Sequence, residues 1–78
     1  MFLEIITPDK KLFGGEVKSI NLPGADGSFG VLKNHAPIIS SLRKGKIKVI
    51  DECKQTLTFE VKGGVVEVLR NKVVVLAE

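Results

Sequence analysis

Apolar and polar residues alternate along this chain with a period of two. The clearest stretch is "TLTFEVK" (56 to 62), where Leu57, Phe59 and Val61 share one parity and Thr58 and Glu60 take the other. "KIKVID" (46 to 51) places Ile47 and Val49 on one face and Lys46 and Lys48 on the opposite one. "FLEIIT" (2 to 7) and "EVKSINL" (16 to 22) are rich in β-forming residues but less regular. The end, "VVEVLRNKVVVLAE", reads as two β-branched runs around Arg70-Asn71-Lys72, and because Asn tolerates positive φ a tight hairpin is predicted there. No segment carries a convincing helical stripe.

Turn signals punctuate these runs. "TPDKK" (7 to 11), "FGGE" (13 to 16), "PGADG" (23 to 27), "RKG" (43 to 45), "DECKQ" (51 to 55) and "KGG" (62 to 64) recur with the spacing of short strands, a rhythm that suits a β-sandwich or a small barrel. A lone sheet of such strands would leave one apolar face in water, whereas two sheets about 10 Å apart bury it. The four Phe are the expected bulk of that core. "APIISSL" (36 to 42) has little charge, and reads either as a strand buried on both sides or as part of a docking surface.

Length sets the scale. The 78 residues suffice for one domain, 1–78, with no linker, repeat or low-complexity tract. A domain this small often works as a part of something larger. The net charge of +3 is mild and the cations are scattered, the densest group being "RKGKIK" (43 to 48). That group is able to touch phosphate, but a polar turn leading into a strand with solvated lysines is the simpler reading. With no Trp or Tyr, and Phe needed inside, no stacking platform for nucleic acid is expected.

Chemistry is sparse. The single Cys53 excludes an internal disulfide and lies in a polar stretch with no base beside it. A lone thiol suits a reducing compartment. The N-terminus lacks the basic start and apolar core of a signal peptide, and no run has the length of a membrane span. A cytosolic protein is therefore expected, one still able to dock on a membrane complex. No two acids are spaced for general acid/base work, and no Cys/His spacing suits zinc. "PGADGSFG" (23 to 30) is glycine-rich but matches neither a P-loop nor a dinucleotide fingerprint, so tight turning is the expected role of its glycines. His35, the only histidine, stands in "GVLKNHAP" with no acid close by; it reads as a turn residue bonded to backbone or as a subunit contact, not as a catalyst. No catalytic, cofactor or metal residue is expected.

The order of motifs is more specific. "F-x-G-x-V" at Phe13 to Val17, a glycine-rich "P-G-x-x-G-x-x-G" at Pro23 to Gly30, "x-H-A-P" at Asn34 to Pro37 and "G-x-I" at Gly45 to Ile47 are followed by two more. These are "GG-x-x-E-V" at Gly63 to Val68 and "N-x-V-x-V-L-A" at Asn71 to Ala77. Together they resemble the epsilon subunit of the bacterial and chloroplast F-type ATP synthase, across nearly the whole chain.

The resemblance implies an all-β fold, a ten-stranded β-sandwich of two packed sheets. It implies a non-catalytic place in the rotary central stalk, coupling proton translocation to ATP synthesis. The expected partners are the gamma subunit and the ring of membrane c subunits, with no cofactor and no nucleic acid. The expected location is peripheral, on the cytoplasmic face of the bacterial inner membrane, held there by the complex. By position, Asp26, Gly27, Ser28 and Phe29 correspond to the loop that meets the c ring. Many relatives carry an acid where this chain has Ser28, which leaves Asp26 to supply a negative group. His35, Ser40, Thr7 and Glu67 correspond to the surface facing gamma. When isolated, that exposed surface is expected to be able to pair with itself. Family members usually continue into two helices after the closing motif; their inhibitory and nucleotide-sensing roles are not carried over to these residues.

Overall fold

The computed structural model describes all residues, Met1–Glu78. Every regular element is a strand: β1 (Phe2–Ile6), β2 (Lys11–Gly24), β3 (Gly27–Leu32), β4 (Ile38–Leu42), β5 (Gly45–Asp51), β6 (Thr56–Val61), β7 (Gly64–Leu69) and β8 (Lys72–Ala77). The strands neighbour one another in the order β1-β8-β7-β4-β2-β5-β6, with β3 on β2 and a further pairing of β1 with β2. The β1–β8 pair is parallel and the others are antiparallel.

This corrects the expected ten-stranded, two-sheet sandwich. There are eight strands, and hydrogen bonds join them in one mixed sheet. The cause lies in β2. The glycines of "FGGE" do not turn the chain: Gly14 and Gly15 run extended opposite Glu4 and Leu3 of β1. The run "EVKSINL" (16 to 22) is therefore part of one strand of 14 residues that continues back through both glycines. Its first half pairs with β1, and its second half with β3 and β5. Both arms of the sheet share that backbone, so no break in the ladder divides them.

Two irregularities let β2 serve both arms. Val17 and Ile20 differ in parity, yet both are buried. The β2–β5 register slips between Val17 and Ser19, so Lys18 is an extra residue that resets the alternation. A second slip on β2, opposite Ile5/Ile6, lets the consecutive residues Leu12 and Phe13 both reach the core.

The two arms fold over one hydrophobic core. Leu3, Ile5, Val66, Val68, Val73 and Val75 come from β1, β7 and β8, and Ile20, Leu22, Val31, Ile47 and Val49 from β2, β3 and β5. The core is aliphatic. Phe13, Phe29 and Phe59 pack at its margin, with Phe13 on Phe59 edge to face at 5.6 Å. Phenylalanine is therefore not the bulk of the core, contrary to the expectation above.

The predicted terminal hairpin is present, with Leu69 paired to Lys72. Its positive φ falls on Arg70 (50°), not on Asn71. Asn71 instead ties elements together: its side-chain Oδ1 accepts from the Asn34 N–H at 3.0 Å, and its carbonyl accepts from the Phe2 N–H at 2.8 Å.

Candidate functional site

The chain holds no group of three or more His, Cys, Asp or Glu side chains arranged for a metal, and no helix able to cross a membrane. Cys53 is exposed in the β5–β6 turn, where its N–H donates to Asp51 Oδ1 at 2.9 Å. The prominent features are surfaces.

One face of the sheet is apolar and open. The registers align Ser41, Val65, Leu76 and Ile6 in one row across β4, β7, β8 and β1, and Ile39, Glu67, Val74 and Glu4 in the next. Leu69, Lys72 and Phe2 form a third. In these rows Ile39 is 73% exposed, Leu76 55%, Leu69 53% and Val65 40%, which makes four of the chain's five exposed large hydrophobics neighbours on one face. Burial of alternate residues inside, as in Val66, Val68, Val73 and Val75, forces this set outward. Pro37, Ile39, Glu67 and Leu69 line a shallow groove on it.

The charges on this face are unequal in partnership. Glu4 takes Lys11 Nζ at 3.0 Å and Lys72 Nζ at 3.8 Å. The hydrogen bond from Lys11 holds the Glu4 carboxyl below the usual carboxylate range, with the charges of Lys11 and Lys72 adding to it. Glu67, two strands away in the same row, forms no ion pair.

Of the four residues matched to the gamma-facing surface, Glu67 lies in the centre of this face. Ser40 does not face out with it. It has the parity of Ile38 and Leu42, is half-buried opposite Val66, and its hydroxyl donates to the Ser41 carbonyl at 3.3 Å. Thr7 caps the β1–β2 turn, its Oγ1 accepting from the Lys10 N–H at 3.1 Å. His35 sits in the β3–β4 connection beyond the other end of the strands. Its N–H donates to the Leu32 carbonyl at 3.1 Å, and its Nδ1 lies 2.7 Å from the Ala36 carbonyl, a contact that requires the proton on Nδ1. The four residues thus span the length of the face without forming a cluster.

The four residues matched to the c-ring loop do come together, in the β2–β3 hairpin. Gly24 pairs with Gly27 across the exposed tip Ala25-Asp26. Gly27 has a φ of 133°, which suits a residue without Cβ. Ser28 is exposed, while the Phe29 ring lies over Gly24, so closely that a Cβ there would meet it at 2.8 Å.

Sequence reasoning offered "APIISSL", which holds Ile39, as a docking surface in one of two readings, but missed Val65, Leu69 and Leu76. The signal was present: in "VVEVL" and "KVVVLA" apolar residues occupy both parities, which marks strands with two apolar faces.

Comparison with known proteins gives a consistent picture. The family described as "ATP synthase, Delta/Epsilon chain, beta-sandwich domain" matches residues 1–78. The ATP synthase epsilon chain of Chlorobium limicola is 42% identical over 76 residues, covering 97% of this chain and 86% of the relative. That of Maricaulis maris (strain MCS10) is 44% identical over 78 residues, covering 100% of this chain and 58% of the relative. In the cryo-EM structure of the Euglena gracilis mitochondrial ATP synthase (OSCP/F1/c-ring, rotational state 1), one chain superposes with a TM-score of 0.90 at 23% identity. The match covers 96% of this chain and 48% of that one, a likeness of fold. By the family match over its whole length and by its close relatives, the chain belongs to the ATP synthase delta/epsilon chain family.

Proposed function

We propose that the chain works in the central stalk of a rotary ATP synthase, without bond chemistry of its own, and couples proton flow in the membrane ring to ATP synthesis in the head. In this reading the open face of β4, β7, β8 and β1 docks the gamma subunit, and the β2–β3 hairpin tip meets the polar loops of the c ring. The complex holds the chain at the cytoplasmic face of the membrane as a peripheral component. The observation that carries the reading is the apolar face itself. Ile39, Val65, Leu69 and Leu76 stand in adjacent rows, a set larger than scattered surface apolar residues explain. Glu67 among them lacks an ion pair and supplies a charge for a partner to meet.

The body suits a part that transmits torque. Of its 48 backbone hydrogen bonds, 38 lie inside strand ladders, and both arms close on one core, so shear between the two contact surfaces must distort the whole sheet. The test is size-exclusion co-elution with the cognate gamma subunit held in its α/β head. Stoichiometric co-elution supports the reading. Separate elution of a folded chain from a competent gamma preparation contradicts it.

A further inference from the structure

The basic stretch "RKGKIK" has no role in the surfaces described so far, yet the structure joins it to the hairpin tip. The Ala25 N–H donates to the Ser41 carbonyl at 2.9 Å, and the Arg43 N–H donates to the Pro23 carbonyl at 2.8 Å. Gly45 lies against Pro23, where an added Cβ would come within 2.8 Å of the proline ring. These three couplings make the β2–β3 tip and the β4–β5 turn one unit. Ala25, Asp26, Arg43, Lys44 and Lys46 are all exposed on it.

We propose that Arg43, Lys44 and Lys46, with the Ala25-Asp26 tip, form one contact surface that recognises carboxylates on a protein partner. The inference rests on the reading of the tip as the c-ring contact and names the chemistry of the ring loops it meets: acidic side chains opposite the three cations, with a cation opposite Asp26. None of the three cations forms an ion pair within the chain. Glu60, the cross-strand partner of Lys46, does not form one with it. On the adjoining β6–β7 turn the Lys62 N–H donates to the Glu78 carbonyl at 3.4 Å, and the Glu78 carboxylate lies beside Gly63. Three cations without an ion pair therefore share one unit with Asp26. Their mutual repulsion is relieved when an acidic surface approaches.

A protein surface fits better than a bilayer. Asp26 is exposed at the tip beside the basic turn, where an anionic membrane would repel it. None of the exposed large hydrophobics lies on the tip or on the β4–β5 turn, so nothing there is built to enter the interfacial region of a membrane.

The test measures binding of the chain, assembled with gamma, to detergent-solubilised c rings at low and high salt. Wild type is compared with R43E/K44E/K46E and with Ser28→Trp, and vesicles with and without anionic lipid serve as a separate arm. The expected result is ring binding about fivefold or more weaker for the triple variant at low salt, with a smaller difference at high salt and unchanged gamma binding. If Ser28→Trp weakens ring binding and the triple variant does not, the inference fails and the ring-facing tip stands. If neither variant changes ring binding, both fail. If wild type binds anionic vesicles as tightly as rings and the triple variant loses the vesicles alone, a membrane is the partner and the inference is overturned.

Discussion

Ile39 and Glu67 are cross-strand partners on the open face, so the most exposed large hydrophobic of the chain stands beside a carboxylate without an ion pair. On the proposed reading, gamma covers Ile39 and must satisfy Glu67. Glu67→Lys is then expected to weaken gamma binding about tenfold or more, and Glu67→Gln by less. Calorimetric titration with gamma checks both. Thermal unfolding of the free chain should hardly change, because Glu67 is exposed.

His35 lies at one end of that face, half-buried in the β3–β4 connection. No strand ladder depends on its side chain. His35→Ala should weaken assembly with gamma severalfold while the isolated chain keeps its β spectrum by circular dichroism. An unfolded variant would show that the ring supports the loop instead.

Gly64 begins β7 with a φ of 140°, and a Cβ there would lie 2.2 Å from the Leu76 carbonyl oxygen. Backbone cannot yield as a flexible side chain can. Gly64→Ala combines a strained dihedral with a clash against β8, and is expected to cost about 2–4 kcal/mol, enough to unfold much of a marginal small domain. Urea denaturation gives the value. By contrast Gly27→Ala, at positive φ but with open space around it, should cost about 1 kcal/mol.

Glu4 supplies the pH dependence. Its folded pKa is depressed by Lys11 first and by Lys72 after it. A depressed carboxylate stabilises the fold above its unfolded pKa, and the stabilisation is lost as pH falls through the unfolded value and on through the lower folded one. Glu4→Gln should therefore unfold more readily than wild type at neutral pH, and the difference should close on acidification. Melting temperatures of the two proteins across the acidic range test this; a gap that stays constant with pH would contradict the pairing.

Much of the fold was legible from period-two patterning. "TLTFEVK" and the "KIKV" of "KIKVID" alternate and form β6 and β5, paired from Thr56 to Val61. The hairpin about Arg70-Asn71 was legible from turn chemistry, though Arg70 bears the positive φ while Asn71 bonds Asn34. What failed was the reading of "FGGE" as a turn. Glycine marks turns and tolerates extended pairing equally, and only the presence of β1 alongside Gly14 and Gly15 decides between them. The register slip that buries both Val17 and Ile20 was hidden for a related reason. A bulge needs a partner strand to define it, and "EVKSINL" alone does not show which residue is the extra one. For the candidate site, position matching named Glu67, which the structure puts on the open face, and the residues of the β2–β3 hairpin. Matching places a residue but not its direction, and Ser40 turns inward because Leu42 and Ile38 share its parity. The exposed apolar set was readable from the double parity of β7 and β8.

The central claim is that the open face of β4, β7 and β8 is the gamma-binding surface. The most direct measurement is a binding titration of gamma with wild type and with the double variant Ile39→Asp/Leu69→Asp, both confirmed as folded by circular dichroism and thermal melting. Both positions are exposed, so the fold should tolerate the change. The account predicts loss of gamma binding by about a hundredfold or more, since two apolar anchors are replaced by charges that the interface would bury unpaired. A folded double variant that binds gamma with wild-type affinity would contradict it and move the gamma contact to another surface of the chain.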